Sequence, residues 1–365
     1  MEPIKIINCH THIFNRAAVP DNFLPKWLMP LAKFLENKST AKGAFNFFSK
    51  LRKHEIALLI RKYHAFLTIG DLKSQLEIFK YLQSFYPTNT RFCVLPMDME
   101  FMKAGKVAQS YTDQLDELAA IKQDPAYKDL IYPFVFVHPE RKGILDMVKH
   151  YIEERGFAGL KLYPPLGYYP FDERLNEIYA YAEKYQIPIT THCARGGVFY
   201  KGDISDDMLK HPKTGEHSKT RKNKYFTDVY TDPDNYRYVL QQFPDLKINL
   251  AHFGGYDEWQ KFLGNSFDDG LPSWYEKVIA LLREYKGVYT DISYTMFNAD
   301  LFNLLKLSLQ DETVKGKIIY GSDFYMVEQE TSERQFLTNI RAYIGESDFR
   351  LIAEQNPKLF LYKHI

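Results

Sequence analysis

Short β-branched runs alternate along the chain with longer stretches whose apolar residues recur at helical spacing. Such a β-then-α rhythm is typical of a parallel sheet covered by helices. Eight runs predict strands, at residues 4–13, 91–99, 131–139, 157–164, 187–193, 246–253, 287–294 and 317–324. Eight is the number that a closed (β/α)8 TIM barrel requires, and the chain length suits that fold. An open doubly wound sheet remains an alternative on rhythm alone.

Three intervening segments carry clear helix signals. Residues 74–87 place apolar side chains near helical spacing before a proline, and residues 172–186 open with Asp172 as an N-cap. Residues 232–244 combine a capping aspartate, a first-turn proline and a terminal proline. We expect these segments to be crossover helices between strands.

Two segments are insertions beyond the strands and helices that a minimal barrel needs. Residues 16–70 insert a helical block after the first strand, and residues 198–231 insert a polar stretch after the fifth. The first contains an apolar stripe made of Leu24, Trp27, Leu28, Leu31 and Leu35. Because both insertions follow strand ends, they emerge where barrel active sites lie, either as lids or interface elements or as plain packing insertions. With no repeat or linker visible, residues 1–365 are expected to form one domain.

Polar residues recur where these apolar runs end, at His10 and His12, Lys161, His192, His252 and Asp323. Side chains alternate along a strand, so each polar residue is expected to share the barrel interior with its same-parity neighbours. Those neighbours are Asn8 for His10 and His12, Phe157 and Gly159 for Lys161, Thr190 for His192, Ile248 and Leu250 for His252, and Ile319 and Gly321 for Asp323. Burying so many ionisable groups separately is costly, whereas a shared cation compensates them together.

Composition narrows the classes of partner. The 365 residues are 45% hydrophobic and carry 47 basic against 46 acidic side chains, for a net charge of +1. With so small a net charge, the protein has no overall electrostatic field that would attract nucleic acid or a membrane surface. A small-molecule substrate is therefore expected. The absence of a signal-like N-terminus or a long apolar window predicts a cytoplasmic protein, and three cysteines suit free thiols. The sequence leaves a homodimer open.

The ordered motifs "CHTHIF", "GLKLYPP", "THCARGG", "FPDLKINLAHFGG", "VYTDIS", "YGSDF" and "EQNPKLF" span nearly the full chain. In this order the sequence resembles the amidohydrolase superfamily, in its amidohydrolase-related branch, which also contains carboxymuconate-semialdehyde and benzoate-type decarboxylases. The fold that this resemblance implies is a metal-bearing (β/α)8 barrel. The departure is Asn8, where many members have an aspartate, and a lost carboxylate would weaken the orientation of a ligand histidine.

The resemblance also implies site roles. His10 and His12 would be metal ligands from the first strand, His192 a ligand from the fifth, and Asp323 a ligand or proton carrier from the eighth. His252 would bind metal in a two-metal site or act on the substrate in a one-metal site. Lys161 would be either a carboxylated bridge between two ions or a free amine near the substrate. A single divalent ion, Zn²⁺, is expected, with a second only if Lys161 is carboxylated.

These roles predict a metal-dependent hydrolase in which Asp323, His252 and Lys161 are catalytic. The same site would also serve a decarboxylase or hydratase, and a barrel that binds a ligand without turnover is a further alternative. Arg195, three residues beyond His192, is either a clamp for a substrate carboxylate or a solvent-facing side chain. The loop sequences do not identify the substrate.

Overall fold

The computed structural model describes residues 2–23, 68–264 and 269–362. Within these residues eight parallel strands form one sheet in the order β1 to β8, and the predicted (β/α)8 barrel is confirmed. The strands are β1 (Ile7–Thr11), β2 (Arg91–Val94), β3 (Ile131–Val137), β4 (Gly159–Leu162), β5 (Ile189–Ala194), β6 (Ile248–Gly254), β7 (Val288–Asp291) and β8 (Ile318–Ile319). Each adjacent pair from β1–β2 to β7–β8 is parallel.

Helices cover the outside of this sheet. They are α1 (Gln75–Gln83), α2 (Tyr111–Gln123), α3 (Ile144–Lys149), α4 (Asn176–Tyr185), α5 (Asp206–Leu209), α6 (Asn223–Phe226), α7 (Asp228–Thr231), α8 (Asn235–Gln242), α9 (Tyr256–Phe262), α10 (Trp274–Glu284), α11 (Phe302–Gln310), α12 (Phe324–Glu330), α13 (Glu333–Ile344), α14 (Glu346–Arg350) and α15 (Asn356–Leu361). Among the described residues, no helix has the length and apolar character that a membrane span requires.

The predicted helix starts have a local cause. The Ser74 hydroxyl accepts from the backbone N–H of Glu77 at the start of α1, which satisfies one of the free donors of the first turn. Asp172 caps a short 3₁₀ turn, Glu173–Leu175, which leads directly into α4. The predicted crossover helices at residues 74–87, 172–186 and 232–244 are therefore present, each shorter than its sequence pattern.

Apolar side chains form two layers. The larger cluster joins the outer faces of the strands to the helices, and it includes Ile4, Ile6, Ile248 and Leu250. A smaller cluster fills the floor of the barrel interior, with Ile7, Cys9, Cys93, Phe134, Tyr289, Ile319 and Phe360 among its members. The polar residues lie at the opposite, carboxyl ends of the strands, which is the end where barrel active sites are found.

The two insertions are described to different extents. In residues 198–231 the chain forms the short helices α5 to α7 and an antiparallel bridge between Lys210 and His217. Lys201 from this insertion donates to the carbonyl oxygens of Asn22 (2.8 Å) and Phe23 (2.7 Å), at the start of the first insertion. The predicted apolar stripe from Leu24 to Leu35 lies outside the described residues.

Candidate metal centre

Three buried side chains from distant parts of the chain meet at the carboxyl end of the barrel. His10 comes from β1, His252 from β6, and Asp323 from the turn after β8. Each offers one ligand atom, and these atoms all lie within 4.8 Å of one another. All three side chains are buried, with exposed fractions of 0%, 5% and 6%. This group has the donor types and the spacing of a divalent metal site.

His10 reaches the interior through an irregularity in β1. Ile4 and Ile6 belong to the outer layer, and Asn8 contacts Tyr86 on the same side. The expectation that Asn8 faces the interior is therefore wrong. The pairing register with β2 shifts between Asn8 and Thr11, which turns the His10 ring inward.

His252 also breaks strict alternation. Ile248 and Leu250 lie in the outer layer, whereas Asn249 lies inside and donates to Asp291 at 2.7 Å, so the predicted parity of β6 is wrong. His252 has a φ of +69° and Phe253 a φ of +49°, and these left-handed residues redirect the end of the strand. The His252 N–H donates to Asp291 at 3.0 Å, and the His252 carbonyl accepts from Thr295 at 2.6 Å. These bonds fix an otherwise unfavourable backbone.

Asp291 on β7 orients His10. Its Oδ2 accepts from Nδ1 of His10 at 3.0 Å, and its Oδ1 accepts from the N–H and the hydroxyl of Ser293. Burial raises the pKa of Asp291, but the charge and hydrogen bond of His10 together with His252 lower it further, to well below its usual range. Asp291 is therefore an anion, and because it binds Nδ1 of His10, Nε2 is the ring nitrogen that remains for a metal.

His12 is oriented by a backbone carbonyl. Its Nδ1–H donates to the Leu95 oxygen at 2.6 Å, so its Nε2 carries the lone pair and lies 3.9 Å from Oδ1 of Asp323. Burial, with smaller contributions from His10 and Lys161, holds the pKa of His12 well below its usual value. His12 is thus a neutral imidazole at the edge of the cluster.

His192 and His252 form a hydrogen-bonded pair. The Ser293 hydroxyl donates to Asp291, so it accepts from Nδ1–H of His252 at 2.9 Å. Nε2 of His252 then accepts from Nδ1–H of His192 at 3.0 Å. Burial lowers the pKa of His192 and brings that of His252 to about 3. This assignment of ring protons leaves Nε2 of His192 with a free lone pair.

Asp323 lies in a left-handed turn that begins α12. Its φ is +59°, and its N–H donates to the His10 carbonyl at 2.8 Å. Burial raises the pKa of Asp323 to about 6, and His10 and Lys161 oppose that rise only in part. The charges of His10 and Lys161 therefore compensate this buried carboxylate only in part.

Lys161 lies beneath this group on β4. Its side chain is fully buried, and its Nζ has no hydrogen-bond partner among the described residues. Burial lowers the pKa of Lys161 to about 8, although Asp291 and Asp323 favour the charged form. A buried amine without a partner is costly, so it marks a position where a ligand supplies the missing contacts.

The donor set fits a divalent cation. Nε2 of His10 and Nε2 of His192 are buried without a hydrogen-bond partner in the described part of the chain. Nε2 of His12 faces Asp323, whose buried carboxylate adds negative charge. Neutral imidazoles with one carboxylate are a common donor set for zinc and similar ions. The candidate ligand atoms of His10, His252 and Asp323 all lie within 4.8 Å of one another, and His12 and His192 lie outside this closest group.

Arg195 is not brought into the cluster by its observed contacts. Its Nε donates to Glu258 at 2.5 Å, and its guanidinium lies 4.3 Å from the centre of the Trp274 ring. Its side chain is 43% exposed. These contacts account for the residue without a substrate, and the carboxylate clamp stays a prediction.

Asp291 was missed by sequence reasoning. The motif "VYTDIS" contains it at the end of a predicted strand, with the same placement as His192 and Asp323. Applying the strand-end rule to this run as well would have found it. Its position also answers the concern about Asn8, because the carboxylate that orients His10 comes from β7 instead of β1.

A family model described as amidohydrolase matches residues 82–361, which include β2 to β8. The matched stretch contains Lys161, His192, His252, Asp291 and Asp323, whereas His10 and His12 precede it. No curated protein sequence matches the chain.

Solved structures share the whole fold at low sequence identity. One is the 5-carboxyvanillate decarboxylase of Sphingomonas paucimobilis, with 12% identity, 99% of both chains covered and a TM-score of 0.54. Another is the Novosphingobium aromaticivorans 5-carboxyvanillate decarboxylase complexed with manganese and 4-hydroxy-3-methoxy-5-nitrobenzoic acid, with 13% identity, 98% of this chain and 96% of that chain covered, and a TM-score of 0.56. An amidohydrolase from Burkholderia multivorans has 9% identity, 98% and 99% coverage, and a TM-score of 0.56.

Proposed function

The chain belongs to the amidohydrolase family, and from this membership we propose that it is a metal-dependent hydrolase acting on a small, carboxylate-bearing molecule. The observation that carries the proposal is the convergence of His10, His252 and Asp323, whose candidate ligand atoms lie within 4.8 Å of one another. His12 lies 3.9 Å from Asp323, and His192 lies 3.0 Å from His252, so both reach the same cluster. These residues have no reason to meet as packing groups, because their buried polar atoms cost free energy unless a ligand compensates them.

We assign His10, His12, His192 and Asp323 as the ligands of one divalent ion. The three imidazoles present free Nε2 lone pairs, since their Nδ1 atoms donate to Asp291, Leu95 and His252. These second contacts fix the orientation of each ring, so that its Nε2 is the nitrogen left for a metal. Zn²⁺ is the ion that an imidazole-rich set with one carboxylate favours, and Mn²⁺ is the ion named with the Novosphingobium decarboxylase.

An ion in this donor set supplies Lewis acidity, which makes water reactive near neutral pH. The carboxylate of Asp323 accepts the proton that the attacking water loses and returns it to the leaving group. His252 donates Nδ1–H to Ser293 and so presents Nε2 toward the cluster, where it orients His192 and polarises the substrate. The floor below the cluster is made of buried apolar residues, which favours a site with little bulk water.

Lys161 is the residue from which we infer that the substrate carries a carboxylate. Its buried Nζ has no hydrogen-bond partner among the described residues, and the charges of Asp291 and Asp323 favour its protonated form. A substrate carboxylate would supply the missing charge-assisted contacts. Lys161 on β4 and Asp323 after β8 lie on opposite sides of the same barrel end, which suits a small molecule held between them.

Decarboxylation is the second candidate, and Lys161 is the observation that favours it. A buried cation beside the metal ligands can hold the carboxylate that is lost, and Asp323 can then deliver a proton to the carbon. Two of the solved structures that share the fold are decarboxylases. Turnover in ¹⁸O-labelled water separates the two reactions, because hydrolysis places the label in the product and decarboxylation releases carbon dioxide.

Metal content tests the proposal directly. Elemental analysis of purified protein is expected to find about one divalent ion per chain, and the double variant His10→Ala/His12→Ala is expected to lose it. The matched control is His150→Ala/His217→Ala, which removes two exposed histidines. Equal and negligible metal in all three proteins, after growth and dialysis with added Zn²⁺, would end the metalloenzyme proposal.

A further inference from the structure

The junction between β1 and β8 carries ligand candidates on both sides but has little strand pairing. β8 is two residues long, and it pairs with β7 at two positions. Across the junction, Cys9 N–H donates to the Tyr320 carbonyl at 2.8 Å, and Asp323 N–H donates to the His10 carbonyl at 2.8 Å. Because Asp323 holds a left-handed φ, neighbouring groups must fix it more firmly than a regular strand would require.

One side-chain amide bridges this junction. Oδ1 of Asn8 accepts from the N–H of His10 at 3.2 Å and from the N–H of Ser322 at 3.1 Å. Nδ2 of Asn8 donates to the Ser322 hydroxyl at 2.9 Å and to the Tyr86 hydroxyl at 3.0 Å. The amide thereby joins the backbone of His10 to the residue that precedes Asp323. An aspartate at this position would lack both donors.

Tyr86 continues this bridge toward the helix layer. Its hydroxyl accepts from Asn8, lies 2.9 Å from the Tyr320 hydroxyl, and donates to Oε1 of Glu333 at the start of α13. Tyr86 is 7% exposed, and Tyr320 and Glu333 are fully buried. We call Asn8, Tyr86, Tyr320, Ser322 and Glu333 the junction network.

Glu333 is the buried end of the junction network. Burial raises the pKa of its carboxyl group to about 8, against the lowering effect of the hydroxyls of Ser322 and Tyr86. The acidic groups that face it, Glu328 and Asp323, raise the pKa further. At neutral pH the carboxyl group is therefore mainly protonated, and its carbonyl oxygen is a neutral acceptor for Tyr86.

We propose that Asn8, Tyr86 and Glu333 are positioning residues, which hold His10 and Asp323 at ligating distance by tying β1 and β8 to α13. The inference rests on the proposed function, because it assigns the junction network a purpose in metal binding. The network contacts the backbone of one ligand residue and the neighbour of the other, so it acts on their spacing and not on their chemistry. A two-residue β8 cannot set that spacing alone.

Cobalt binding tests this inference without an activity assay. Co²⁺ is titrated into metal-free protein, and its visible absorption reports both affinity and coordination. Tyr86→Phe removes the hydroxyl that joins Asn8 to Glu333, and it is expected to weaken Co²⁺ binding about 10- to 100-fold, as loss of an outer contact typically does. The control is Tyr179→Phe, which removes a buried hydroxyl bonded to the Pro170 carbonyl at 2.6 Å.

The outcomes separate the two proposals. A wild-type protein that binds no Co²⁺ overturns the metal site, and with it the inference. A wild-type protein that binds Co²⁺ while Tyr86→Phe binds it as tightly as Tyr179→Phe overturns only the inference. Melting curves confirm that each variant is folded.

Two further variants keep the test decisive if Tyr86→Phe does not fold. Glu333→Gln keeps a neutral acceptor for Tyr86 and is expected to retain wild-type Co²⁺ affinity, whereas Asn8→Asp removes both donors and is expected to lose about 10-fold or more. Equal affinity in these two variants would contradict the positioning role.

Discussion

His252 and Asp323 place their side chains through backbone conformations that ordinary residues avoid. Both have positive φ, which costs on the order of 1–2 kcal/mol for a residue with a Cβ atom. Their backbone N–H groups are held by Asp291 and by the His10 carbonyl, so the strain is stabilised by buried hydrogen bonds. Strained residues of this kind concentrate at functional sites, and here they are two of the three groups that converge.

The buried carboxyl group of Glu333 predicts a pH-dependent stability. The folded-state pKa is raised to about 8 from an ordinary value of 4.5, so the folded protein keeps a proton that the unfolded chain releases. Stability is then complete below about pH 4.5 and falls as pH rises toward 8. Glu333→Gln has no such proton, and its stability relative to wild type is expected to rise by a few kcal/mol across this window.

Urea unfolding at pH 5, 6, 7 and 8 measures this difference. The glutamine side chain of the variant keeps the acceptor for Tyr86, so a change in the difference between the two proteins reports ionisation and not lost packing. A constant difference from pH 5 to pH 8 would show that Glu333 does not titrate in this range.

At the scale of elements, all eight strands were predictable because β-branched runs recur between helical segments. Residues 187–193, for example, predicted β5, which runs from Ile189 to Ala194. The strand ends were less predictable. Strict alternation predicted that Ile248 and Leu250 face the barrel interior with His252. In the structure the positive φ of His252 changes the direction of its side chain at the end of β6. The spacing of residues along the sequence does not indicate such a φ value.

Gly321, between β8 and Asp323, permits a close approach of two elements. A Cβ atom there would lie 2.7 Å from Cβ of His10 and 3.3 Å from its backbone nitrogen. Both of these His10 atoms are fixed by the backbone and cannot move aside as the end of a flexible side chain could. The added carbon would therefore force β1 and β8 apart. Gly321→Ala is expected to lower the free energy of unfolding by about 1–3 kcal/mol and to weaken Co²⁺ binding.

Gly316→Ala provides the control for this substitution, because a Cβ there would have nothing within 4 Å. Chemical unfolding and Co²⁺ titration of both variants check the prediction. Equal stability and equal metal affinity in the two variants would show that the junction tolerates the added carbon.

At the scale of the whole molecule, the three cysteines are buried in the native barrel. Cys9, Cys93 and Cys193 each have an exposed fraction of 0%. Burial raises the pKa of the Cys9 and Cys193 thiols, which reduces their reactive thiolate form. We therefore expect a disulfide reagent to label no thiol rapidly in native buffer and to label all three in denaturant. A fast native phase, followed spectroscopically, would contradict this.

The candidate site was predictable in its residue types and less so in its arrangement. His10, Lys161, His192, His252 and Asp323 stand out because ionisable residues end apolar runs. The partners that orient them depend on folding, since Asp291 lies 281 positions from His10 and Glu258 lies 63 positions from Arg195. No local pattern links residues so far apart. Such pairings become visible only when the barrel brings the strand ends together.

The junction of the first and last strands also sets an order of events in the cell. Asn8 and Ser322 are 314 positions apart, a separation that a ribosome needs roughly 15–60 s to synthesise. For all of that time the emerging histidines lack the carboxylate that would share an ion with them. The complete set of ligands can therefore form around an ion only after the last strand has docked.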